Sequence, residues 1–394
     1  MSVEPPDDLP LRAETLVAWA KEEGFQRAAL TTLEPFATEA EAYRDWLERG
    51  DQAGMDYMER YVDLRVEPQR LLPGARWVLC VALRYAPRED SIPPDNDLWP
   101  RVARYARGRD YHNLMGKRLK KLARRIRRSA PESETRVAVD ASPVLERALA
   151  QRAGLGTIGK NTCLLTREGS WFFLGEIFSS APLAEKATEA VAAETETAEA
   201  ETEKATTQAL DLAPMDLCGS CTACLDACPT DALPEPFRLD SRRCISYWTI
   251  EHRGAMPEAA REQLHGWAFG CDICQEVCPW NQGTRRRPVP DSAEDDFRLP
   301  PQRAALGLED LLELSEDRYR ELFRGSPMQR ARREGLQRNA ATAMGESGDR
   351  RYIPSLERAL EATEDPGVRE HAQWALQQLR AGAPPSALEG TEDP

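Results

Sequence analysis

The chain has 394 residues, of which 30% are charged and 41% hydrophobic, and its formal net charge is -14. This length exceeds what one hydrophobic core usually organises, so two or three domains are expected. The longest strongly apolar run, residues 77–83, is far too short to cross a bilayer. The acidic, proline-containing start, residues 1–10, also lacks the apolar centre of an export signal, so we expect a cytoplasmic protein.

Much of the negative charge lies in two segments without aromatic residues. Residues 184–210 are almost entirely Ala, Glu and Thr and contribute -5, and residues 381–394 contribute -3. Neither segment has enough apolar bulk to offset the entropy lost on ordering. We therefore predict a disordered insertion and a disordered tail.

The N-terminal part is predicted to alternate helices and strands. The predicted elements are helices over 11–23 and 142–153, strands over 76–85 and 135–139, and apolar segments over 163–166 and 171–178. This alternation indicates a layered α/β or α+β domain, which we assign to residues 1–183. Cys80 lies inside a predicted strand and is expected to be a small core residue.

A strongly basic helix is predicted within this domain. Residues 117–128 contain eight Lys or Arg and no acid. Met115, Leu119, Leu122 and Ile126 recur at helical spacing, which indicates an amphipathic helix. Its cationic face is either simply solvated or binds RNA, and the sequence leaves both interpretations open.

Eight of the ten cysteines lie between residues 218 and 278. The first run is Cys218-x2-Cys221-x2-Cys224-x3-Cys228-Pro, and the second is Cys271-x2-Cys274-x3-Cys278-Pro, with Ala268 in place of its first cysteine and Cys244 as the substitute. In two-cluster ferredoxins the cysteine before proline ligates the other cluster. The inferred ligand sets are Cys218, Cys221, Cys224 and Cys278 for one [4Fe-4S] cluster and Cys228, Cys244, Cys271 and Cys274 for the other. Residues 211–295 are thus predicted to form a ferredoxin-like domain.

Zinc is the main alternative to iron at these cysteines. Cys-x2-Cys pairs also build tetrahedral zinc sites, so the eight thiols would hold two zinc ions. The two Cys-Pro endings, the x3 spacing and the use of all eight thiols favour iron. A disulfide framework is not expected in a long chain without an export signal.

Residues 296–380 are rich in Ala, Leu, Arg and Glu with helical period. Leu336, Ala340, Ala343 and Met344 recur 32 residues later as Val368, Ala372, Ala375 and Leu376, a period that suits HEAT-like repeats. Two units do not make an independent solenoid, so this part is expected to dock against the rest of the chain. The arginines that cluster around it are candidates for a binding surface: Arg324, Arg330, Arg332, Arg333, Arg338, Arg350 and Arg351.

Several stretches resemble the epoxyqueuosine reductase family. In family order they are RYARGRDYH (104–112), the strand end at Asp140, GLGTIGKNT (154–162), CGSCTACLDACPTDAL (218–233), RCISYWTIE (243–251) and GCDICQEVCPWN (270–281). The resemblance covers nearly the whole chain except the insertion and the termini. It implies an α+β protein with a cobalamin-binding N-terminal domain, a ferredoxin-like domain and a C-terminal HEAT-like unit.

The resemblance also implies a reaction, its cofactors and its partners. Epoxyqueuosine at the wobble position of a tRNA anticodon would be reduced to queuosine by a base-off cobalamin, with two [4Fe-4S] clusters relaying electrons from an unidentified donor. Asp140 matches the family's proton donor. The positions that match cobalamin-lining residues are Arg65, Asp140, Leu164, Leu174, Ser246 and Asp272. We expect a monomer without a membrane partner.

Two local interpretations stay open at this point. Asp140 follows a predicted strand and precedes Ser142 and Pro143, so it also suits a helix N-cap. A role as general acid would require burial to raise its pKa. Asp110, Tyr111 and His112 resemble part of a motif in which histidine binds cobalt, but the glycine of that motif comes one residue late, so we interpret them as pocket residues or structural residues.

Three rival functions are consistent with parts of the pattern. A reductive dehalogenase would also combine cobalamin with two clusters. A non-enzymatic electron-transfer protein would need only residues 211–290. A HEAT-type nucleic-acid-binding protein would use zinc at the cysteines.

Overall fold

The computed structural model describes residues 11–85, 96–184, 216–283, 290, 292 and 294–382. The segments predicted to be disordered, 184–210 and 381–394, lie outside these residues, apart from their first positions. Ala184 donates its N–H to the Leu11 carbonyl at 2.8 Å, and the last helix ends at Ala381 with Gly382 as its cap. Among the described residues, no helix has both the length and the apolar character needed to span a bilayer.

A four-stranded antiparallel sheet forms the centre of the N-terminal part. The strands are β1 (Arg27–Thr31), β2 (Trp77–Arg84), β3 (Thr135–Ala138), β4 (Thr157–Ile158), β5 (Leu164–Leu165) and β6 (Phe172–Ser179). The spatial order of the main sheet is β1-β2-β6-β3, and β4 pairs with β5. Because all of these pairs are antiparallel, the predicted α+β class is correct and the α/β alternative is not.

Helices cover both faces of the main sheet. They are α1 (Ala13–Glu22), α2 (Thr38–Glu48), α3 (Val62–Val66), α4 (Tyr111–Ser129) and α5 (Glu146–Arg152). Helices α1 and α4 share one apolar cluster with Leu79 and Ile177, whereas α5 shares another with Cys80 and Leu174. Strands β2 and β6 are buried along their whole length, which explains their nearly continuous apolar sequences.

The basic helix forms as predicted, but the next predicted helix begins late. In α4 the buried side chains include Met115, Leu119, Leu122 and Ile126. Helix α5 begins at Glu146 rather than at 142, because residues 140–144 form bends and Leu145 occupies the N-cap position. The N-cap interpretation of Asp140 is therefore wrong, since this residue lies on the loop between β3 and α5.

Short helices surround the cysteines. They are α6 (Ala223–Asp226), a π-helix (Tyr247–Glu251), α7 (Glu258–Arg261), α8 (Ile273–Glu276) and α9 (Pro279–Gln282). Helices α6 and α8 occupy equivalent places in the two cysteine runs, since Cys224 and Cys274 each lie in the first turn. Ala268, where a ferredoxin repeat would have a ligand, is fully buried in an apolar cluster.

The C-terminal part is helical throughout its described length. Its helices are α10 (Pro301–Ala304), α11 (Leu308–Leu312), α12 (Glu316–Phe323), α13 (Arg332–Glu346), α14 (Ile353–Ala362) and α15 (Pro366–Ala381). The two halves of the sequence repeat lie on α13 and α15, which pack against each other. The repeated side chains are all buried at this contact or beside it.

Arg338, on α13, attaches the C-terminal helical part to the part of the chain that contains the two cysteine runs, called here the cysteine-rich part. It is 2% exposed and donates hydrogen bonds to the carbonyl oxygens of Trp248, His252 and Gly254 at 2.8 to 3.1 Å. Burial lowers the pKa of Arg338 to about 10, which still leaves the side chain charged at neutral pH. Because it is enclosed, its assignment to an exposed binding surface is wrong.

Three further buried polar residues of the helical part contribute to the same contact. Asn339 donates to the carbonyl oxygens of Thr249 and Ala268 at 2.7 and 2.8 Å. The Nε2 atom of His371 accepts the Met256 N–H at 2.9 Å. The carboxylate of Glu346 accepts two backbone N–H groups, those of His265 and Gly266. The helical part therefore docks on the segment 248–268, as its small size led us to expect.

Replacing Arg338 should destabilise this contact strongly. Arg338→Ala removes hydrogen bonds to three backbone carbonyl groups and opens a cavity where a side chain only 2% exposed had packed, so we expect a loss of about 3 kcal/mol in the free energy of unfolding. The exposed Arg351 gives a matched control, because Arg351→Ala should change that free energy by less than about 0.5 kcal/mol. Urea unfolding followed by circular dichroism measures both, and equal values for the two variants would contradict the structural role of Arg338.

Candidate active site and cluster sites

Asp140 is the centre of a polar cluster at the end of the main sheet. Its Oδ2 atom accepts hydrogen bonds from the Tyr111 hydroxyl at 2.6 Å and from His112 Nε2 at 2.9 Å. The other ring nitrogen, Nδ1 of His112, bonds Asp110 Oδ1 at 2.8 Å. Asp110 is the N-cap of α4 and also accepts the His112 N–H at 3.0 Å, so the helix start positions the imidazole between two carboxylates.

This arrangement keeps the proton on His112 rather than on Asp140. Burial disfavours the imidazolium, but hydrogen bonds to Asp110 and Asp140 raise the pKa of His112 to about 9. Burial also acts to raise the pKa of Asp140, but bonds from His112 and Tyr111 and the charge of Arg330 outweigh it, so this pKa is lowered. The requirement that burial keep Asp140 protonated is therefore not met, since its side chain is 51% exposed and paired with a cation.

The backbone and the neighbouring rings fix the position of Asp140. Its φ angle of 45° lies in the left-handed region, which is uncommon for residues other than glycine and is frequent at functional sites. The Tyr111 ring stacks on Phe173 with a centroid distance of 3.9 Å and on His112 at 4.1 Å. The two donors that hold Asp140 are thus supported by the sheet and by each other.

An arginine from the helical part also reaches this cluster. Arg330 forms two hydrogen bonds to the Glu251 carboxylate, at 2.7 and 2.9 Å, and its guanidinium carbon lies 5.4 Å from the centroid of the Tyr57 ring. Its charge contributes to the lowered pKa of Asp140. Sequence reasoning grouped Arg330 with the general surface arginines, because nothing in the local pattern links it to a residue in another domain.

A buried carboxyl group on β6 lacks hydrogen-bond partners. Glu176 is 1% exposed, and neither of its oxygens has a partner among the described residues. Burial, then the charges of Glu146 and Asp140, raise the pKa of Glu176. Glu146, at the start of α5, has its pKa raised to about 7 by burial and by the charge of Asp140. Neither residue stands out in the sequence, since each lies in an otherwise ordinary core pattern.

Two of the expected cofactor-lining residues, Leu164 and Leu174, belong to the apolar cluster on the same face of the sheet as Glu176. They are 5% and 7% exposed. Arg65 is in α3, and its Nε atom, like Oε1 of the nearby Gln69, is buried without a partner among the described residues. This region therefore combines an apolar wall with buried polar atoms that lack partners.

Asp272 occupies the N-cap position of α8. It is 2% exposed and accepts the Arg104 N–H at 2.6 Å, and burial raises its pKa to about 6. Tyr105 lies near both Asp272 and Asp140. Burial is the main cause of the raised pKa of Tyr105, and the charges of Asp140 and Asp272 are the next largest causes. The charges of Asp140 and Asp272 thus both act on the Tyr105 hydroxyl.

Ser246 lies directly against one of the cysteines. Its amide and hydroxyl, together with the amide of Tyr247, form hydrogen bonds to the Cys244 sulfur. Burial is nevertheless the larger effect and raises the pKa of the Cys244 thiol. The start of the π-helix thus joins a candidate cluster ligand to a candidate cofactor contact.

Four cysteines from both runs line one cavity of about 330 Å³. They are Cys218, Cys221, Cys224 and Cys278, the set inferred for the first cluster. Lys160 braces the wall of this cavity by donating to the carbonyl oxygens of Gly219 and Cys221 at 2.7 and 2.9 Å. Within the described ranges, no three His, Cys, Asp or Glu side chains converge as binding of a single metal ion requires.

The remaining four cysteines form a second group. Burial is the main cause of the raised pKa values of the Cys271 and Cys274 thiols. The charges of Cys244 and Cys228 contribute to the raised pKa of the Cys271 thiol. Those of Cys271 and Cys244 contribute to the raised pKa of the Cys274 thiol. Cys228, Cys244, Cys271 and Cys274 are therefore close enough for their charges to act on one another.

Two cysteines remain outside these groups. Cys80 is fully buried in β2, as expected of a core residue. Cys163 lies between the two groups. The charges of Cys224 and Cys278 contribute to the raised pKa of its thiol, and its own charge contributes to the raised pKa of Cys274. Burial raises the pKa of its thiol to about 11, so it is protonated at neutral pH.

Comparison with known proteins identifies the family. Residues 65–141 match the model described as Epoxyqueuosine reductase QueG, DUF1730, and residues 217–281 match a 4Fe-4S double cluster binding domain. The epoxyqueuosine reductase of Xanthomonas campestris is 41% identical over 378 residues, which cover 95% of this chain and 97% of that protein. The chain belongs to the epoxyqueuosine reductase family. It is thus an oxidoreductase, and the expectation of iron-sulfur clusters rather than zinc is confirmed.

Solved structures of epoxyqueuosine reductases have the same fold. One contains a tRNA-Tyr epoxyqueuosine-modified stem loop, and it aligns with a TM-score of 0.72 and 27% identity, covering 93% of this chain and 98% of that one. Another, from Bacillus subtilis, has its catalytic aspartate loop swung out of the active site, with a TM-score of 0.70, 26% identity and the same coverage. The family assignment sets aside the dehalogenase, electron-transfer and zinc-protein alternatives.

The protonation of His112 is directly testable in this reductase. Because its folded pKa of about 9 exceeds the ordinary value of about 6.5, its ion pairs stabilise the fold fully below about pH 6.5, and this contribution is lost as the pH rises through about 9. An NMR titration of the histidine rings should show this pKa, and Asp140→Asn should lower it. His371 is an internal control, since burial and nearby arginines lower its pKa to about 2. A His112 pKa near 6.5 in the unmodified protein would contradict the proposed charge distribution.

Proposed function

We propose that this protein reduces epoxyqueuosine to queuosine at the wobble position of tRNA anticodons, the last step of queuosine biosynthesis. The observation that carries the proposal is the Asp110, His112 and Asp140 cluster, which lies in a family member with a double-cluster domain. The solved relative with an epoxyqueuosine-modified stem loop supports tRNA as the substrate.

The reaction defines what the protein must supply. Conversion of an epoxide to an alkene and water consumes two electrons and two protons. Each [4Fe-4S] cluster transfers one electron at a time, so two clusters supply both electrons from a donor that remains to be identified. The protein residues contribute substrate binding, exclusion of water and the protons.

The residues present fit a cobalamin. Its periphery carries many amide groups, and the partnerless polar atoms of Arg65, Gln69 and Glu176 are the kind of buried groups that such a ligand satisfies. Leu164 and Leu174 offer the apolar surface for its ring. Together with Asp140, Ser246 and Asp272, the residues Arg65, Leu164 and Leu174 would hold it. When bound, cobalamin supplies a cobalt centre capable of two-electron chemistry.

Asp140 acts in this proposal as a proton carrier that His112 refills. A proton passes from His112 Nε2 across the 2.9 Å hydrogen bond to Asp140 Oδ2 and from there to the oxygen that leaves the substrate carbon. His112, whose side chain is 38% exposed, regains a proton from solvent. The proposal is supported by the Bacillus subtilis structure, where a catalytic aspartate lies on a loop, as Asp140 does.

The ligand sets and domain roles complete the proposal. Cys218, Cys221, Cys224 and Cys278 hold one cluster, and Cys228, Cys244, Cys271 and Cys274 hold the other. Residues 1–183 form the catalytic domain, 211–295 the ferredoxin-like domain and 296–380 a HEAT-like unit. A monomer in the cytoplasm, where tRNA is found, stays a prediction.

Exposed cations are proposed to bind the tRNA phosphates. On α4, Arg118, Lys121 and Arg125 already pair with acids of the protein. The exposed cations of this helix without an acidic partner among the described residues are Lys117, Lys120, Arg124, Arg127 and Arg128. In the helical unit Arg324 and Arg332 are exposed and have no acidic partner within the described residues. Phosphate contacts of this kind position an RNA without reading its sequence.

Loss of the protein should leave epoxyqueuosine in cellular tRNA. Mass spectrometry of nucleosides from cells lacking this gene product should show epoxyqueuosine accumulating, and the unmodified gene should restore queuosine.

Asp140→Asn should bind both types of cofactor normally but turn over about a hundredfold more slowly or worse, because proton transfer is lost. Asp231→Asn is the matched control, since Asp231 also has a positive φ, of 49°, but lies in the cysteine-rich part. Near-normal turnover by Asp140→Asn would refute the proton-carrier role.

Iron content should separate ligands from bystanders among the cysteines. Cys278→Ala and Cys244→Ala should each lower iron from about eight to about four atoms per protein, because each removes one ligand of a different cluster. Cys163→Ala should retain about eight, although Cys163 lies between the two groups. Iron analysis after anaerobic purification measures this, and loss of iron from Cys163→Ala would contradict the assigned ligand sets.

A further inference from the structure

Exposed aromatic side chains occur in the segment that leads into α3, and one of them, Tyr57, lies beside the candidate active site. Among the described residues, three large apolar side chains are exposed: Tyr57 at 40%, Tyr61 at 66% and Phe237 at 57%. Two of them lie in one short segment, residues 56–61, which leads into α3. Exposed aromatic residues that form a patch mark an interaction site, so two of them within six positions of the chain make this segment a candidate contact surface.

This segment is held firmly, so the exposure of its tyrosines is not a result of loose packing. Asp51 is fully buried and pairs with Arg238 and Arg242 at 2.7 and 2.9 Å. The Gly54 N–H donates to the Tyr247 hydroxyl at 3.0 Å. Near its end, the Tyr43 hydroxyl donates to the Met58 carbonyl at 2.7 Å. The rings of Tyr57 and Tyr61 therefore extend from a fixed support.

Tyr57 also lies close to the catalytic candidate. Arg330 lies over its ring, and the charges of Glu251, Arg330 and Asp140 all act on its hydroxyl. Arg330 covers one face of the ring, yet the residue stays 40% exposed. A flat group that enters the site beside Asp140 therefore meets an aromatic surface that is already oriented.

Arginines next to Tyr57 define the chemistry of the partner. Arg253 donates to the Arg330 carbonyl at 2.7 Å, and Arg332 lies close enough for its charge to act on Arg253. Aromatic rings bordered by arginines suit unpaired nucleotides, whose bases stack while their phosphates meet cations. An apolar protein partner would not explain the positive charge.

We propose that Tyr57 and Tyr61 form a stacking platform for the unpaired nucleobases that flank the wobble nucleotide of the tRNA. The proposal rests on the proposed function, since it assumes an anticodon loop at this site. The platform contacts bases that do not react, so it positions the RNA and takes no part in bond breaking.

Fluorescence of a labelled stem loop tests the platform. The probe is an epoxyqueuosine-free anticodon stem loop with 2-aminopurine in place of the base next to the wobble position, titrated with the cluster-loaded protein. Tyr57→Leu and Tyr61→Leu should each weaken binding about tenfold, the scale of one base stack, whereas Tyr57→Phe should stay within about twofold because the ring remains. Phe237→Leu is the matched control and should bind like the unmodified protein. Melting temperature and cluster absorbance show that each variant is folded.

The possible outcomes are distinct. Unchanged binding by both leucine variants, in proteins that still convert epoxyqueuosine, would overturn the platform but not the function. Loss of corrinoid absorbance rather than RNA binding in Tyr57→Leu would also overturn it, because the ring would then contact the cofactor. Failure of the unmodified protein to convert epoxyqueuosine in tRNA would instead reject the proposed function itself.

Discussion

The docking of the helical part on the segment around residues 248–268 is the contact on which the rest of the structure depends. Arg338 and Asn339, which are 2% and 0% exposed, supply donors for five backbone carbonyl groups there. Three of those carbonyls lie in or directly after the π-helix. Backbone carbonyl groups of this π-helix accept hydrogen bonds from outside the helix, and their donors here are the side chains of Arg338 and Asn339 in the helical part.

That contact has consequences on both sides of the π-helix. At its start are Cys244 and Ser246, and at its end Glu251 holds Arg330 beside Asp140. The helical part contains no inferred cluster ligand. Its docking nevertheless determines where Arg330 lies relative to Asp140. Closeness of the three parts is a property of the tertiary fold, because no segment of the sequence contains all of them.

The sequence predicted those features that depend on local spacing. The cysteine groups were predicted from cysteines spaced three or four positions apart along the chain. The α4 helix was predicted from apolar residues that recur on one helical face. The ionisation of Asp140 was not predictable in this way, since it depends on an imidazole that the start of another helix holds between two carboxylates. The late start of α5 reflects a left-handed turn at Asp140, for which the sequence has no glycine signal. Arg330 and Glu176 were missed because their surroundings come from distant strands and helices.

The shared use of the π-helix also limits how this protein can change during evolution. Substitutions that touch common partners are not additive in energy, and here one turn contacts Gly54, Arg330, Arg338 and a cysteine sulfur at once. A change that suits one of these contacts alters the others, so tolerated substitutions must arise in compensating combinations. Selection on RNA recognition would thereby constrain the packing of helices that touch neither the RNA nor the iron.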